Sequence, residues 1–123
     1  MEEKIKELLA NYPNKRVDFE SKGHGEGWHT KWNGEDYDSY DFCIYEGSSW
    51  DVVGSEYYIV NSIFVDEDDY LCFDLSVFGW NDGNYWEGEV LKDVPLFDIE
   101  DRIHFDCQSD RLNEKLSLFA KIL

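Results

Sequence analysis

The chain has 123 residues, of which 42% are hydrophobic and 17% aromatic, and a formal net charge of −17. Its length is that of one domain with enough apolar material to build a core without metal or disulfides, and its aromatic content is too high for a disordered acidic tail. A surplus of carboxylates argues against direct binding to nucleic acid or to an anionic membrane, since phosphate contacts need Lys and Arg.

In chain order, residues 2–12 are predicted to form a helix. Ile5, Leu8, Leu9 and Tyr12 make one apolar face, and Pro13-Asn14 ends it. Arg16–Glu20 alternates like a short strand, and Gly23, Gly25 and Gly27 mark a loop. Tyr40–Glu46 is a strand by propensity. Glu56–Val65 and Tyr70–Phe78 are the clearest strands, joined as a hairpin by Asp66-Glu67-Asp68-Asp69. In the second of these, Leu71, Phe73, Leu75 and Val77 face a core, while Tyr70, Cys72, Asp74 and Ser76 face the other way. Asp82-Gly83 within Trp80–Asn84 signals a tight turn into a strand near Tyr85–Lys92. Pro95 breaks the chain, Asp101–Asp106 adds a short strand, and a helix runs from Ser109 or Asp110 to about Leu123. The expected fold is α+β: an antiparallel meander of about five strands between an N-terminal and a C-terminal helix, in a single domain over residues 1–123.

The charge is unevenly distributed. Between Lys31 and Lys92 there is no Lys or Arg, yet the interval holds fifteen carboxylates, while the flanks are nearly balanced. Such a run opposes compaction by self-repulsion, which points to a positively charged partner. In extended segments, residues two apart share a face at about 6.6 Å, as Asp36/Asp38, Asp66/Asp68 and Glu87/Glu89 would. That charge density is within a factor of about two of the phosphates on one DNA strand. Fifteen of the 21 aromatics fall between Trp32 and Trp86, in the same interval. Phe42, Phe64 and Phe73 read as core. Tyr37, Tyr40, Trp50, Tyr57, Tyr58, Trp80, Tyr85 and Trp86 exceed what a small core needs, and Tyr and Trp are typical interface anchors. The candidate partner-binding set is Asp36, Asp38, Asp41, Trp50, Asp66, Glu67, Asp68, Asp69, Asp82, Tyr85, Trp86, Glu87 and Glu89.

Other chemistry finds little purchase. The acidic runs miss the calcium-loop spacing, and His24, His29 and His104 lack paired cysteines. There is no nucleophile elbow, zincin helix, Walker loop or dinucleotide fingerprint, so no enzyme, cofactor or metal is expected. Cys43, Cys72 and Cys107 are odd in number and widely spaced, as in a reduced cytoplasmic protein. No apolar leader segment follows Met1-Glu2-Glu3-Lys4.

In size, charge and layout the chain resembles two groups of small acidic inhibitors. One is the anti-CRISPR and anti-restriction proteins of phages and mobile elements, several of which act as DNA mimics. The other is the immunity proteins that neutralise a cognate, often nuclease, toxin. The resemblance implies a non-enzymatic inhibitor gripping a basic nuclease or nucleic-acid-binding partner, and it transfers no catalytic residues. A carbohydrate-binding module using Trp and Tyr platforms is a further reading from another class.

Overall fold

The computed structural model describes residues 1–23, 28–48, 54–81, 84–99, 106–107 and 112–123. Helix α1 spans Glu2–Leu9 and helix α2 spans Leu112–Ile122. Their buried residues, Ile5 with Leu9 and Leu116 with Phe119, stand one turn apart, as an amphipathic stripe requires. The first helix stops before Tyr12. That residue precedes Pro13, whose ring disfavours the α region behind it, and Tyr12 is extended at φ −106 and ψ 151. Tyr12 still packs against the core, its hydroxyl donating to the Leu123 carbonyl at 3.1 Å.

Among the described residues, nine strands lie between the helices: β1 Arg16–Asp18, β2 Glu20–Gly23, β3 Trp28–Trp32, β4 Glu35–Asp38, β5 Cys43–Ser48, β6 Gly54–Val65, β7 Leu71–Asn81, β8 Asn84–Pro95 and β9 Asp106–Cys107. The main sheet has the order β8-β7-β6-β5-β9, with every pair antiparallel. Its β5-β6-β7-β8 portion is a meander, so the α+β architecture is that of a sheet of about five strands between two terminal helices. β1 pairs with the later half of β6 and β5 with the earlier half, so the two lie end to end along one edge of β6. The chain between them forms a second sheet, β2-β3-β4, that the apolar pattern does not foreshadow. Residues 24–27, 49–53, 82–83, 100–105 and 108–111 lie outside the described residues, and with them His24, Gly25, Gly27, Trp50, Asp82, His104 and both candidate cap residues of α2.

A bulge sets the core face of β6. Tyr58 and Val60 oppose Val77 and Leu75, while Ile63 and Val65 oppose Phe73 and Leu71. The register shifts between Val60 and Ser62, so Asn61 is the extra residue and the even-numbered and odd-numbered apolar positions reach one face. All eight of these side chains are buried. Leu71, Phe73, Leu75 and Val77 thus face the core as expected.

The opposite face carries a hydrogen-bonded polar cluster around Asp74, beside the buried Ile59, Phe64, Cys72 and Phe78. Asp74 is only 3% exposed. Arg16 Nη2 donates to its Oδ2 at 2.7 Å, and the Asp93 backbone N–H donates to its Oδ1 at 3.0 Å. Arg16 Nε donates to Asp18 Oδ1 at 2.9 Å, and Ser62 Oγ donates to the same oxygen at 2.6 Å. A carboxylate is tolerated at such depth only when paired and hydrogen-bonded, which this arrangement provides. The Arg16 guanidinium also lies 4.7 Å from the centroid of the Phe64 ring, its strand neighbour.

The small sheet is fastened to the rest by aromatic rings. Phe42, fully buried, meets Phe19 at 5.0 Å, Tyr37 at 5.5 Å and Phe119 at 5.6 Å between centroids. Phe19 meets Trp32 at 5.4 Å. Among the described residues, no helix is long and apolar enough to cross a membrane.

Candidate interaction surface

Among the described residues, the candidate acids occupy three separate places. The first is the small sheet. Asn33 and Gly34 join β3 to β4 with φ of 52 and 82, the pair of positive values that a two-residue hairpin with Asn-Gly adopts. Lys31 stands opposite both Glu20 and Asp36, and His29 stands opposite both Lys22 and Asp38. His29 Nδ1 is 3.6 Å from Asp36 Oδ2. Asp36 and Asp38 share a face as the spacing predicts, but the ladder alternates charge signs across it. On the inner side the hydroxyls of Ser21, Thr30 and Ser39 are linked at 2.8 Å each. A groove of about 480 Å³ runs between Asp18, Glu20, Lys31, Trp32 and Glu35. Asp41 is exposed on the short 3-10 turn Ser39–Phe42 that leads into β5.

The second place is the β6–β7 turn, where the four acids divide by task. Asp66 Oδ1 accepts the backbone N–H of Asp68 at 3.0 Å and of Tyr70 at 2.8 Å, so this carboxylate shapes the turn. Asp69, at φ 66, accepts from Lys6 Nζ of α1 at 2.8 Å. That contact holds the Asp69 carboxyl below its ordinary range. Glu67 and Asp68 are exposed. Because this segment turns, the extended spacing argued for Asp66 and Asp68 does not arise.

The third place is the edge strand β8. Glu87 opposes Phe78 and Val90 opposes Ser76, with two residues between them on β8 against one on β7, so a bulge interrupts the alternation. Glu87 and Glu89 are both exposed, but Glu87 shares the face of Phe78. Glu89 instead couples electrostatically to Glu56, which lies opposite Gly79 on the other face. Between Tyr70 and Phe78 the sheet runs eight residues, so at about 3.3 Å per residue the second and third places are on the order of 26 Å apart.

The interval without bases is therefore partly neutralised by the fold. Asp36 faces Lys31, Asp69 pairs with Lys6, and Asp74 pairs with Arg16 and lies 3.8 Å from Lys92. All of these bases come from the flanking sequence.

The surplus aromatics divide similarly. Tyr58 is buried, and Tyr37, Tyr57 and Trp86 pack against the core, while the side chains of Tyr40, Trp50, Trp80 and Tyr85 lie outside the described residues. Trp86 stands opposite Gly79 and lies flat across it, since a Cβ on Gly79 would fall 2.1 Å from two ring carbons. Among the described residues, two rings that the interface reading passed over are exposed. Phe97 is 69% exposed and Tyr70 is 47% exposed.

Glu56 is a buried carboxyl, 8% exposed, accepting from the Tyr58 hydroxyl at 3.2 Å. Burial pushes its pKa up, the Tyr58 hydrogen bond pulls against that, and Glu89 adds to the rise. A carboxyl whose folded pKa exceeds its unfolded value ionises more readily when unfolded. Its ionisation thus costs stability as pH climbs above the unfolded value of about 4.3, and the cost is complete above the folded pKa. Glu56→Gln keeps an acceptor for Tyr58 and removes the charge. The variant is expected to match the parent near about pH 4 and to exceed it in urea midpoint at about pH 7. A gap that is constant with pH, or a less stable variant at neutral pH, would show that Glu56 is not carrying this load.

Among the described residues, no group of three His, Cys, Asp or Glu side chains is placed to hold a metal ion. Cys43 and Cys72 are both buried. Burial, with Asp66 beside it, pushes the Cys72 thiol up to about 12, which keeps it protonated and unreactive. No family model, curated protein or solved structure matches this chain.

Proposed function

We propose that the protein is a non-enzymatic acidic inhibitor that binds a basic nuclease or nucleic-acid-binding protein and blocks its DNA or RNA site, as phage and mobile-element anti-defence proteins do. The observation that carries this reading is what remains after internal pairing. Asp41, Glu67, Asp68, Glu87 and Glu89 are exposed in a chain with a net charge of −17. Neutral solubility needs far less charge than this. The mechanism is steric and electrostatic: carboxylates enter a Lys- and Arg-lined channel, long-range attraction speeds the encounter, and the bound protein excludes the substrate. The three acidic places are separated, so the contact spans an extended surface, as a channel for nucleic acid does.

The test is capture of a partner from cells, followed by calorimetry with that partner purified. Affinity is expected to fall on the order of ten- to a hundredfold between about 50 mM and about 500 mM salt. Lys substitutions at Glu67, Asp68, Glu87 and Glu89 together are expected to weaken it further. A captured nuclease held equally well at both salt levels, and indifferent to all four reversals, would sink the electrostatic model.

A further inference from the structure

One end of the main sheet presents two aromatic rings to solvent. Phe97 and Tyr70 are 69% and 47% exposed, and their rings meet edge to face at 5.0 Å and 65°. Burying aromatic surface is ordinarily stabilising, so the exposed parts of these rings forgo that gain. They are nonetheless held in place by the backbone. The Tyr70 carbonyl accepts from the Asp66 backbone N–H at 3.0 Å, and the Tyr70 N–H donates to Asp66 Oδ1 at 2.8 Å. Phe97 sits in the 3-10 turn Leu96–Asp98, directly after Pro95, which is registered opposite Cys72. Glu67 and Asp68 are exposed in the same turn that positions Tyr70, whereas Asp69 is occupied by Lys6.

Two fixed rings beside exposed carboxylates match one side chain better than any other. A guanidinium is planar and weakly hydrated, stacks on an aromatic face, and pairs with carboxylates through its fork of donors. An ammonium group supplies the charge but not the plane. The fold already contains this arrangement internally, where Arg16 lies 4.7 Å over Phe64 while donating to Asp18 and Asp74. We propose that Tyr70 and Phe97, with Glu67 and Asp68, form a docking site for an arginine-bearing segment of a basic protein partner. This rests on the basic-partner reading above and assigns its contact to the β6–β7 end of the sheet.

The test uses the intact chain, nona-arginine and nona-lysine peptides, and NMR of the aromatic rings and amides. Nona-arginine is expected to shift the Tyr70 and Phe97 ring signals and the amides of residues 66–70 most. It is also expected to bind about two- to fivefold tighter than nona-lysine, the span of an exposed cation–π contact. The double variant Tyr70→Ala, Phe97→Ala is expected to keep the remaining spectrum and lose that preference. The site is refuted if both peptides bind alike, if the largest shifts fall at Glu87, Glu89 or Asp36, or if the double variant retains the preference. A salt-sensitive partner captured equally by the double variant would also refute this site while leaving the inhibitor reading intact. Arginine-selective docking here, with no basic partner captured, would support the site and count against the inhibitor reading.

Discussion

Replacing Phe42 with alanine is expected to cost about 3–5 kcal/mol of unfolding free energy, the range for a large buried aromatic removed from a core that cannot collapse around the gap. The position explains the size of the effect. Phe42 is fully buried at the end of the 3-10 turn Ser39–Phe42, where the small sheet returns the chain to β5. Its ring touches Phe19 beyond β1, Tyr37 of β4 and Phe119 of α2, with centroids between 5.0 and 5.6 Å. Those three neighbours belong to different parts of the fold, so no single one can move to fill the space. Typical domains have only about 5–15 kcal/mol to lose, so this variant should sit near the edge of folding at body temperature. Phe97→Ala is the matched control, because its ring is mostly in water, and its cost is expected within about 0.5 kcal/mol. Urea unfolding of both proteins checks the pair. A Phe42 variant losing less than about 1 kcal/mol would mean that the small sheet is held by something other than this ring cluster.

The elements legible in the sequence are those with several apolar residues at helical or strand spacing. α1, α2, β6, β7 and β8 all have this property, and each was expected within a few residues of where it lies. The small sheet does not. One face of β2, β3 and β4 carries Glu20, His29, Lys31, Asp36 and Asp38, and the other mixes the polar Ser21, Thr30 and Glu35 with Trp32 and Tyr37, so polar residues occupy both. Its only strong signal is Asn33-Gly34, a hairpin turn flanked by charge instead of apolar alternation. The bulges at Asn61 and between Glu87 and Val90 were also silent, since nothing local distinguishes an extra residue from its neighbours. For the acidic surface, sequence counting located the carboxylates but not their partners. Lys6 reaches Asp69 and Arg16 reaches Asp74 across separations of 63 and 58 residues. A charge window cannot register pairs so distant, and it overstates the net charge that the folded interval shows to a partner.

Gly79→Ala is the second variant expected to be costly, and the reason lies in Trp86. The two residues are direct cross-strand neighbours on β7 and β8, and the indole covers the glycine. A methyl group there would lie 2.1 Å from Cε2 and Cζ2 of the ring, well inside contact distance. Trp86 has no easy retreat along the strand, because its Cζ3 also closes on Gly88, at 2.9 Å from where a Cβ would stand. The indole must therefore leave the sheet. Trp86 packs against the core while remaining partly exposed, so displacing it forfeits an estimated 2–3 kcal/mol of apolar burial. Removing the ring first should reverse the sign. In a Trp86→Ala background no clash remains, and alanine is a better strand residue than glycine by about 0.5–1 kcal/mol. The double variant is thus expected to be slightly more stable than Trp86→Ala alone, although Gly79→Ala is damaging in the parent. Such a coupling is what a double-mutant cycle measures, and residues in contact commonly show about 0.5–3 kcal/mol of it. Additive costs in that cycle would place the Trp86 ring elsewhere. The coupling found as expected would mean that Trp86, one of the aromatics read as an interface anchor, serves first to shield the glycines of an edge that carries Glu87 and Glu89 into solvent.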